Sequence, residues 1–137
     1  MNEYILVAGS RNFVDAETLA KILTENVGTE DIIVEGGAKG VDGMARQWAE
    51  ARDINVVEIK ADWEKYGRAA GPKRNDEMTK FIAERGGKAL FIWDGESKGT
   101  KQCISSAIKR NIRTRVWSTK ENAYVNLLSK PDNVWNK

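Results

Sequence analysis

Tyr4-Ile5-Leu6-Val7-Ala8-Gly9-Ser10-Arg11 joins a run of aromatic and aliphatic residues directly to a glycine and two polar residues. Such a run is typical of a strand that is buried in a parallel sheet. Asp15 follows and can cap a helix whose apolar face carries Leu19 and Leu23. This segment therefore predicts a buried strand, a tight polar turn and an amphipathic helix.

The same alternation recurs along the chain. Apolar runs predict further strands at residues 32–34, 54–59, 89–93 and 114–117, the last at an edge, and residues 60–71 are expected to form a long loop. Amphipathic stretches follow the first four strands. Five strands that alternate with four helices predict one α/β domain of the Rossmann-like, doubly wound type, with a mostly parallel five-stranded sheet and helices on both faces.

The predicted domain spans residues 1–118, and residues 119–137 form a polar tail. The tail carries isolated apolar residues, which would be exposed unless they pack against something. We expect them to pack on the domain or on an oligomer partner. They are Tyr124, Leu127, Leu128 and Trp135.

The composition excludes several kinds of chemistry. The 137 residues include no histidine and one cysteine, Cys103, so a Ser-His-Asp triad, a histidine-ligated metal and an intrachain disulfide are all excluded. We expect no metal or other cofactor, and we interpret Cys103 as a small buried hydrophobe. No apolar run approaches the roughly 20 residues of a membrane span, and the first residues lack a basic signal region, which predicts a cytoplasmic protein without a membrane partner.

Glycine and polar residues follow each of the first four predicted strands. The carboxyl ends of parallel strands meet at one edge of a sheet, where doubly wound proteins bind ligands. Glycines let a ligand approach the backbone, and helix N-termini there favour anions. The candidate ligand-binding residues are Gly9, Ser10, Arg11, Gly36, Gly37, Ala38, Gly40, Asp42, Asp62, Trp63, Arg74, Asn75, Asp94, Ser97, Gly99 and Thr100.

These residues suit a phosphorylated ligand. Arg11 and Arg74 can each hold phosphate oxygens through two hydrogen bonds, and Lys39, Lys73 and Lys98 add point charges. Each motif also has a plainer interpretation: residues 36–40 alone can be a tight turn, and a lone arginine can be solvated. The prediction of a site rests on their shared edge.

Two further pairs complete the expected site. Asp42 or Asp94 can accept hydrogen bonds from ribose hydroxyls, and Trp63 and Tyr66 can stack on a base. Trp63 can equally serve as a lid or a packing residue.

Five motifs, in order, resemble the YspA-like (DUF2493) branch of the SLOG superfamily, which is related to the LOG phosphoribohydrolases and the DprA/Smf proteins. They are residues 9–11, 36–42, 61–63, 70–75 and 97–100, and the resemblance covers about residues 4–117. It implies a Rossmann-like fold that binds nucleotides, and assembly as a homodimer or homotetramer. It also places Arg74 where LOG enzymes carry a catalytic arginine.

The sequence departs from the LOG pattern after Thr100. Lys101, Gln102 and Cys103 stand where acidic residues are expected. We therefore expect a protein that senses or sequesters a nucleotide-derived signal, such as an ADP-ribose derivative, without hydrolysing it. The alternative is a phosphoribohydrolase or N-glycosidase that uses Arg74 with Asp94 or Glu96.

A second alternative is a DprA-like protein that binds single-stranded DNA. Stacking on Trp63 or Tyr66, with contacts from Lys39, Lys73 and Lys98, would provide such binding. The 22 basic and 20 acidic residues nearly balance, however, so a nucleic-acid partner is not expected.

Overall fold

The computed structural model describes residues 2–126. Strands and helices alternate along this part of the chain, as the apolar pattern predicts. In chain order the elements are β1 (Tyr4–Gly9), α1 (Ala16–Asn26), β2 (Ile32–Glu35), α2 (Val41–Glu50), β3 (Asn55–Glu58), α3 (Trp63–Tyr66), a 3₁₀ turn (Gly67–Ala69), α4 (Ala70–Glu84), β4 (Lys88–Trp93), α5 (Lys98–Lys109), β5 (Arg113–Ser118) and β6 (Ala123–Val125).

The strands form one sheet with the order β3-β2-β1-β4-β5-β6. The first five strands pair in parallel, and β6 pairs antiparallel with β5. The Rossmann-like fold class is thus confirmed, with one correction: the described residues form six strands instead of five, and β5 is not at the edge. The strand order reverses between β1 and β4, which is where such folds open a ligand crevice.

Two apolar layers hold the helices against the sheet. On one face, Leu19 and Leu23 of α1 and Trp48 of α2 pack with the side chains of β1 and β4 that point that way. On the other face, Met78 of α4 and Ile104 of α5 complete a second buried cluster. Because β1 and β4 are covered on both faces, their near-continuous apolar sequences are explained.

The Tyr124 side chain of β6 contacts the last residue of α1, Asn26. The hydroxyl of Tyr124 accepts a hydrogen bond from Nδ2 of the buried Asn26 at 2.7 Å, and its ring meets Trp117 edge-on at 5.0 Å between centroids. The predicted boundary at residue 118, the docking of the tail and the self-association remain predictions. Leu127, Leu128 and Trp135 lie outside the described residues.

Side-chain caps fix where two helices near the sheet edge begin. The predicted cap of α1 is confirmed, since Oδ1 of Asp15 accepts from the N–H of Thr18 at 3.1 Å. Residues 60–71, expected as a loop, instead contain α3, which Asp62 caps by accepting from the N–H of Lys65 at 3.1 Å.

Within residues 2–126, no helix has the length and apolar character needed to cross a bilayer.

Candidate functional site

The loops after β1, β2, β3 and β4 meet at the carboxyl edge of the sheet, as predicted. They enclose a cavity of about 750 Å³, which we call the main cavity. It is lined by Arg11, Gly36, Gly37, Ala38, Lys39, Lys60, Ala61, Trp63, Gly71, Pro72, Arg74, Asn75, Lys98, Gly99 and Gln102.

A smaller hollow of about 230 Å³ adjoins the main cavity. The two spaces share the side chains of Arg11, Arg74 and Asn75, together with residues of the β2 and α5 loops. The hollow is also lined by Gly9, Asp42, Ser97 and Thr100, four further candidates from the sequence.

The main cavity is strongly cationic. Of its lining residues, Arg11, Lys39, Lys60, Arg74 and Lys98 carry positive charge, and no described Asp or Glu lines it. Lys60 is partly neutralised by Glu58, whose Oε1 lies 3.5 Å from Nζ. The lining therefore favours an anionic ligand.

Three consecutive backbone N–H groups of the loop formed by residues 36–38 donate to side-chain carboxyl groups of the protein itself. Oδ2 of Asp42 accepts from Gly36 at 3.0 Å and from Ala38 at 3.3 Å, and Oε1 of Glu35 accepts from Gly37 at 2.6 Å. The loop is therefore held rigidly, but these amides do not point at a ligand. The positive charge of the main cavity therefore comes from its cationic side chains and not from these amides.

Arg74 ties helix α4 to this loop. Its Nη1 donates to the carbonyl oxygen of Gly36 at 2.5 Å, and its Nε donates to Oδ1 of Asn75 at 2.9 Å. Asn75 in turn donates from Nδ2 to Oε1 of Gln102 at 2.9 Å and to the Gly99 carbonyl at 3.4 Å. Three separate junctions are thereby joined by one hydrogen-bonded chain.

Two acidic residues at the ends of neighbouring strands were not among the predicted site residues. Glu35 and Glu58 stand opposite each other in the register of β2 and β3, and Glu58 forms an ion pair with Arg46. Burial, reinforced by the adjoining Glu58, raises the pKa of Glu35 to about 8. The sequence offered one signal for them, since each aliphatic run ends in a glutamate, at Val34-Glu35 and at Val57-Glu58.

Burial also raises the pKa of Asp42. The N–H groups that it accepts from and the nearby Arg74 guanidinium act in the opposite direction and favour its charged form. Asp42 is 4% exposed and is committed to the loop, although its sequence position suggested contact with a ribose.

Other predicted residues lie outside both spaces. Asp94 accepts from the N–H groups of Glu96 and Ser97, both at 2.8 Å, and the Ser97 contact lowers its pKa. Neither Asp94 nor Glu96 lines the main cavity or the hollow. Ser10 is buried and donates its N–H to the Ile92 carbonyl, while Asp62 caps α3.

Gly40, the remaining candidate, has a structural role. Its φ of +77° lies in the left-handed region, and an added Cβ would collide with the backbone of Ser10 and Arg11. Only glycine fits this position without strain. Gly40 therefore brings the loop after β2 against the loop after β1.

The aromatic candidates lie beside the cavity. Trp63 is 55% exposed and lines the main cavity, whereas Tyr66 is 39% exposed and does not. The Lys73 ammonium lies 4.8 Å from the centre of the Tyr66 ring, so this lysine faces the outer surface and not the cavity lining.

The interpretation of Cys103 as a buried hydrophobe is confirmed. Its side chain is 2% exposed, and burial raises the pKa of the thiol to about 12. The reactive thiolate is therefore essentially absent at neutral pH.

The doubly wound sheet with a crevice at its switch point defines a Rossmann-like α/β protein. Residues 4–66 match the model of the YspA, cpYpsA-related SLOG family. Gene 61 protein of Mycobacterium phage D29 is 33% identical over 116 residues, which cover 79% of this chain and 90% of that protein. The chain belongs to the YspA- and cpYpsA-related SLOG family.

A solved structure with a similar fold is the DNA processing protein A (DprA) of Streptococcus pneumoniae. The TM-score is 0.65 with 16% sequence identity over 83% of this chain. The chain spans 50% of the length of that DprA chain. This likeness shows a shared fold.

Proposed function

We propose that this protein binds a nucleotide or a nucleotide-derived phosphate ester in the main cavity. The observation that carries the proposal is the charge of the lining: five cationic side chains and no described carboxylate surround one space. The indole of Trp63 lies at the same cavity and offers a stacking surface for a base. The main cavity therefore offers positive charge to a phosphate and an aromatic surface to a base.

The size of the cavity supports the same conclusion. Pockets that bury small molecules hold roughly 300–1,000 Å³, and the main cavity has about 750 Å³. The adjoining hollow extends the space toward Thr100 at the start of α5. A nucleoside with one or more phosphates fits within this volume.

We propose binding without hydrolysis, which is the behaviour of a sensor or a sequestering protein. N-glycosidic cleavage needs an acid or a carboxylate at the sugar. Glu35 and Asp42 are bound to the loop formed by residues 36–38, and Asp94 is held ionised by two backbone N–H groups. Chromatography of the wild-type protein incubated with nucleoside monophosphates should therefore detect no released base. If the wild type releases base and the Glu96→Gln variant does not, the proposal of binding without hydrolysis is contradicted.

Thermal shift measurements test the binding. The panel contains nucleoside monophosphates and diphosphates, cyclic nucleotides and ADP-ribose. A ligand at a hundredfold excess over its dissociation constant stabilises the folded state by about 2.7 kcal/mol, on the order of 8 °C for a domain of this size. If no member of the panel raises the melting temperature, the proposal fails.

Single-stranded DNA is a second candidate ligand, favoured by the outer surface of α3. Trp63 and Tyr66 are exposed there, and the ammonium groups of Lys65 and Lys73 lie 5.2 and 4.8 Å from the Tyr66 ring centre. Bases that stack on such rings bind with little sequence preference. A labelled oligonucleotide should then show anisotropy that falls steeply with added salt. Unchanged anisotropy at low salt would exclude this candidate.

A further inference from the structure

The partners of Asn75 fix the orientation of its side-chain amide. The Nε of Arg74 can only donate, so the Asn75 atom 2.9 Å away must be the oxygen Oδ1. On the other side, the Gly99 carbonyl can only accept, and it lies 3.4 Å from Nδ2. Asn75 is 7% exposed, so this arrangement is sheltered from water.

The orientation passes from Asn75 to Gln102. Nδ2 of Asn75 donates to Gln102 at 2.9 Å, so the Gln102 atom in that contact must be the oxygen Oε1. The nitrogen Nε2 of Gln102 then occupies the other position of the amide. Within residues 2–126, no protein group accepts a hydrogen bond from Nε2, and Gln102 lines the main cavity.

We propose that Gln102 is a specificity-determining residue that presents only N–H donors to a bound ligand. The proposal rests on the function proposed above, because it assumes a ligand in the main cavity. Gln102 selects a ligand atom that accepts hydrogen bonds, and the two sources tested below are a phosphate oxygen and a base carbonyl oxygen. Asn75 is the positioning residue that holds the amide in this orientation.

The neighbourhood of Gln102 reinforces this selectivity. Lys98 lies one helical turn earlier on α5 and lines the same cavity. Lysine is likewise a donor without acceptor capacity. The wall formed by α5 therefore attracts acceptor groups and offers no side-chain acceptor to a ligand donor at these two positions.

The first experiment measures dissociation constants for ADP, GDP and inorganic pyrophosphate by calorimetry. Gln102→Met removes the donors at similar size, and we expect about a tenfold loss of affinity. Gln102→Glu replaces the donors by an anion and should lose more. Gln47→Met is the matched control, because Gln47 lies on α2 and outside the main cavity and the hollow, and should bind like the wild type.

The three probes distinguish the two sources of the ligand oxygen. If Gln102 contacts a phosphate, Gln102→Met weakens the binding of all three probes. If it contacts a base carbonyl, the variant weakens GDP, while ADP and pyrophosphate keep their affinities. Affinities within twofold of the wild type for all three would overturn the role of Gln102 and leave the proposed function intact. Absence of binding by the wild type would overturn both.

The second experiment tests the positioning by Asn75. Asn75→Asp can still accept from Arg74, but it cannot donate to Gln102, so the Gln102 amide should turn its oxygen to the cavity. We expect a loss of at least tenfold in the wild-type background and a much smaller loss in Gln102→Met. An equal loss in both backgrounds would show that the added charge alone is responsible, and would overturn the positioning role.

Discussion

Arg74 donates a hydrogen bond of 2.5 Å to the carbonyl oxygen of Gly36, across 38 positions of sequence. This contact joins the first turns of α4 to the loop after β2. It leaves a guanidinium at the boundary of the main cavity and the smaller hollow, bonded on two sides to neutral oxygens. Arg74 therefore has two roles: it holds α4 against the loop after β2, and it presents a positive charge to a ligand in the main cavity.

Replacement of Arg74 should affect both roles. Arg74→Ala removes two hydrogen bonds, which lowers the free energy of unfolding by about 1–2 kcal/mol. It should also weaken ADP binding at least tenfold, since the loop and the charge are both lost. Urea denaturation and calorimetry measure the two effects. Arg68→Ala is the control, because Arg68 is exposed and lies outside the cavity lining; an equal effect there would contradict the assignment.

A methyl group at Gly40 should destabilise the fold. The left-handed φ and the crowding by Ser10 and Arg11 leave no room for it, so Gly40→Ala should lower the free energy of unfolding by about 1–3 kcal/mol. Gly43→Ala, in the first turn of α2, should instead stabilise by up to about 1 kcal/mol, since its Cβ would meet only ordinary contacts. Denaturation curves that reverse this order would refute the prediction.

The stability should fall as the pH rises toward 8 because of Glu35. Folding raises the pKa of Glu35 from 4.5 to about 8, so between these values the folded protein holds a proton that the unfolded chain has released. Unfolding then releases a proton, and the free energy of unfolding decreases with pH. Urea denaturation at several pH values from 5 to 9 measures the slope. Glu35→Gln should flatten it; an unchanged slope would place the titration elsewhere.

Trp63 and Tyr66 distinguish a ligand in the cavity from one on the outer surface. Trp63→Ala should weaken ADP binding about tenfold and leave pyrophosphate unaffected, because stacking on a base contributes roughly 1–3 kcal/mol. Tyr66→Ala, which lies outside the cavity lining, should leave both unaffected. If both variants instead lower the affinity for a single-stranded oligonucleotide more than the affinity for ADP, single-stranded DNA is favoured as the ligand.

The sequence predicted the elements that depend on local patterns. Continuous apolar runs marked β1 and β4, and Asp15 marked the start of α1. β6 was not predicted, because its three residues carry no periodic signal. Its position depends on contacts such as that of Tyr124 with Asn26, 98 positions away.

In the site, too, the features set by local sequence patterns were predictable and those set by three-dimensional contacts were not. The convergence of four glycine-rich junctions was predictable, since parallel strands end at one edge. The use of Asp42 and Glu35 to bind the loop amides was not, because it depends on side-chain directions in three dimensions. Gln102 was noted in the sequence only as a missing acid, and its donor role emerges from the chain of hydrogen bonds through Asn75.

Calorimetric titration of the wild-type protein with ADP and with adenosine tests the cationic cavity most directly. The two molecules share a base and a sugar, and differ in the phosphates that the five cationic residues would hold. We expect ADP to bind and adenosine to bind at least a hundredfold more weakly, on the order of 2.7 kcal/mol. Equal affinity for the two, or no binding of ADP, would contradict an anion site in the main cavity.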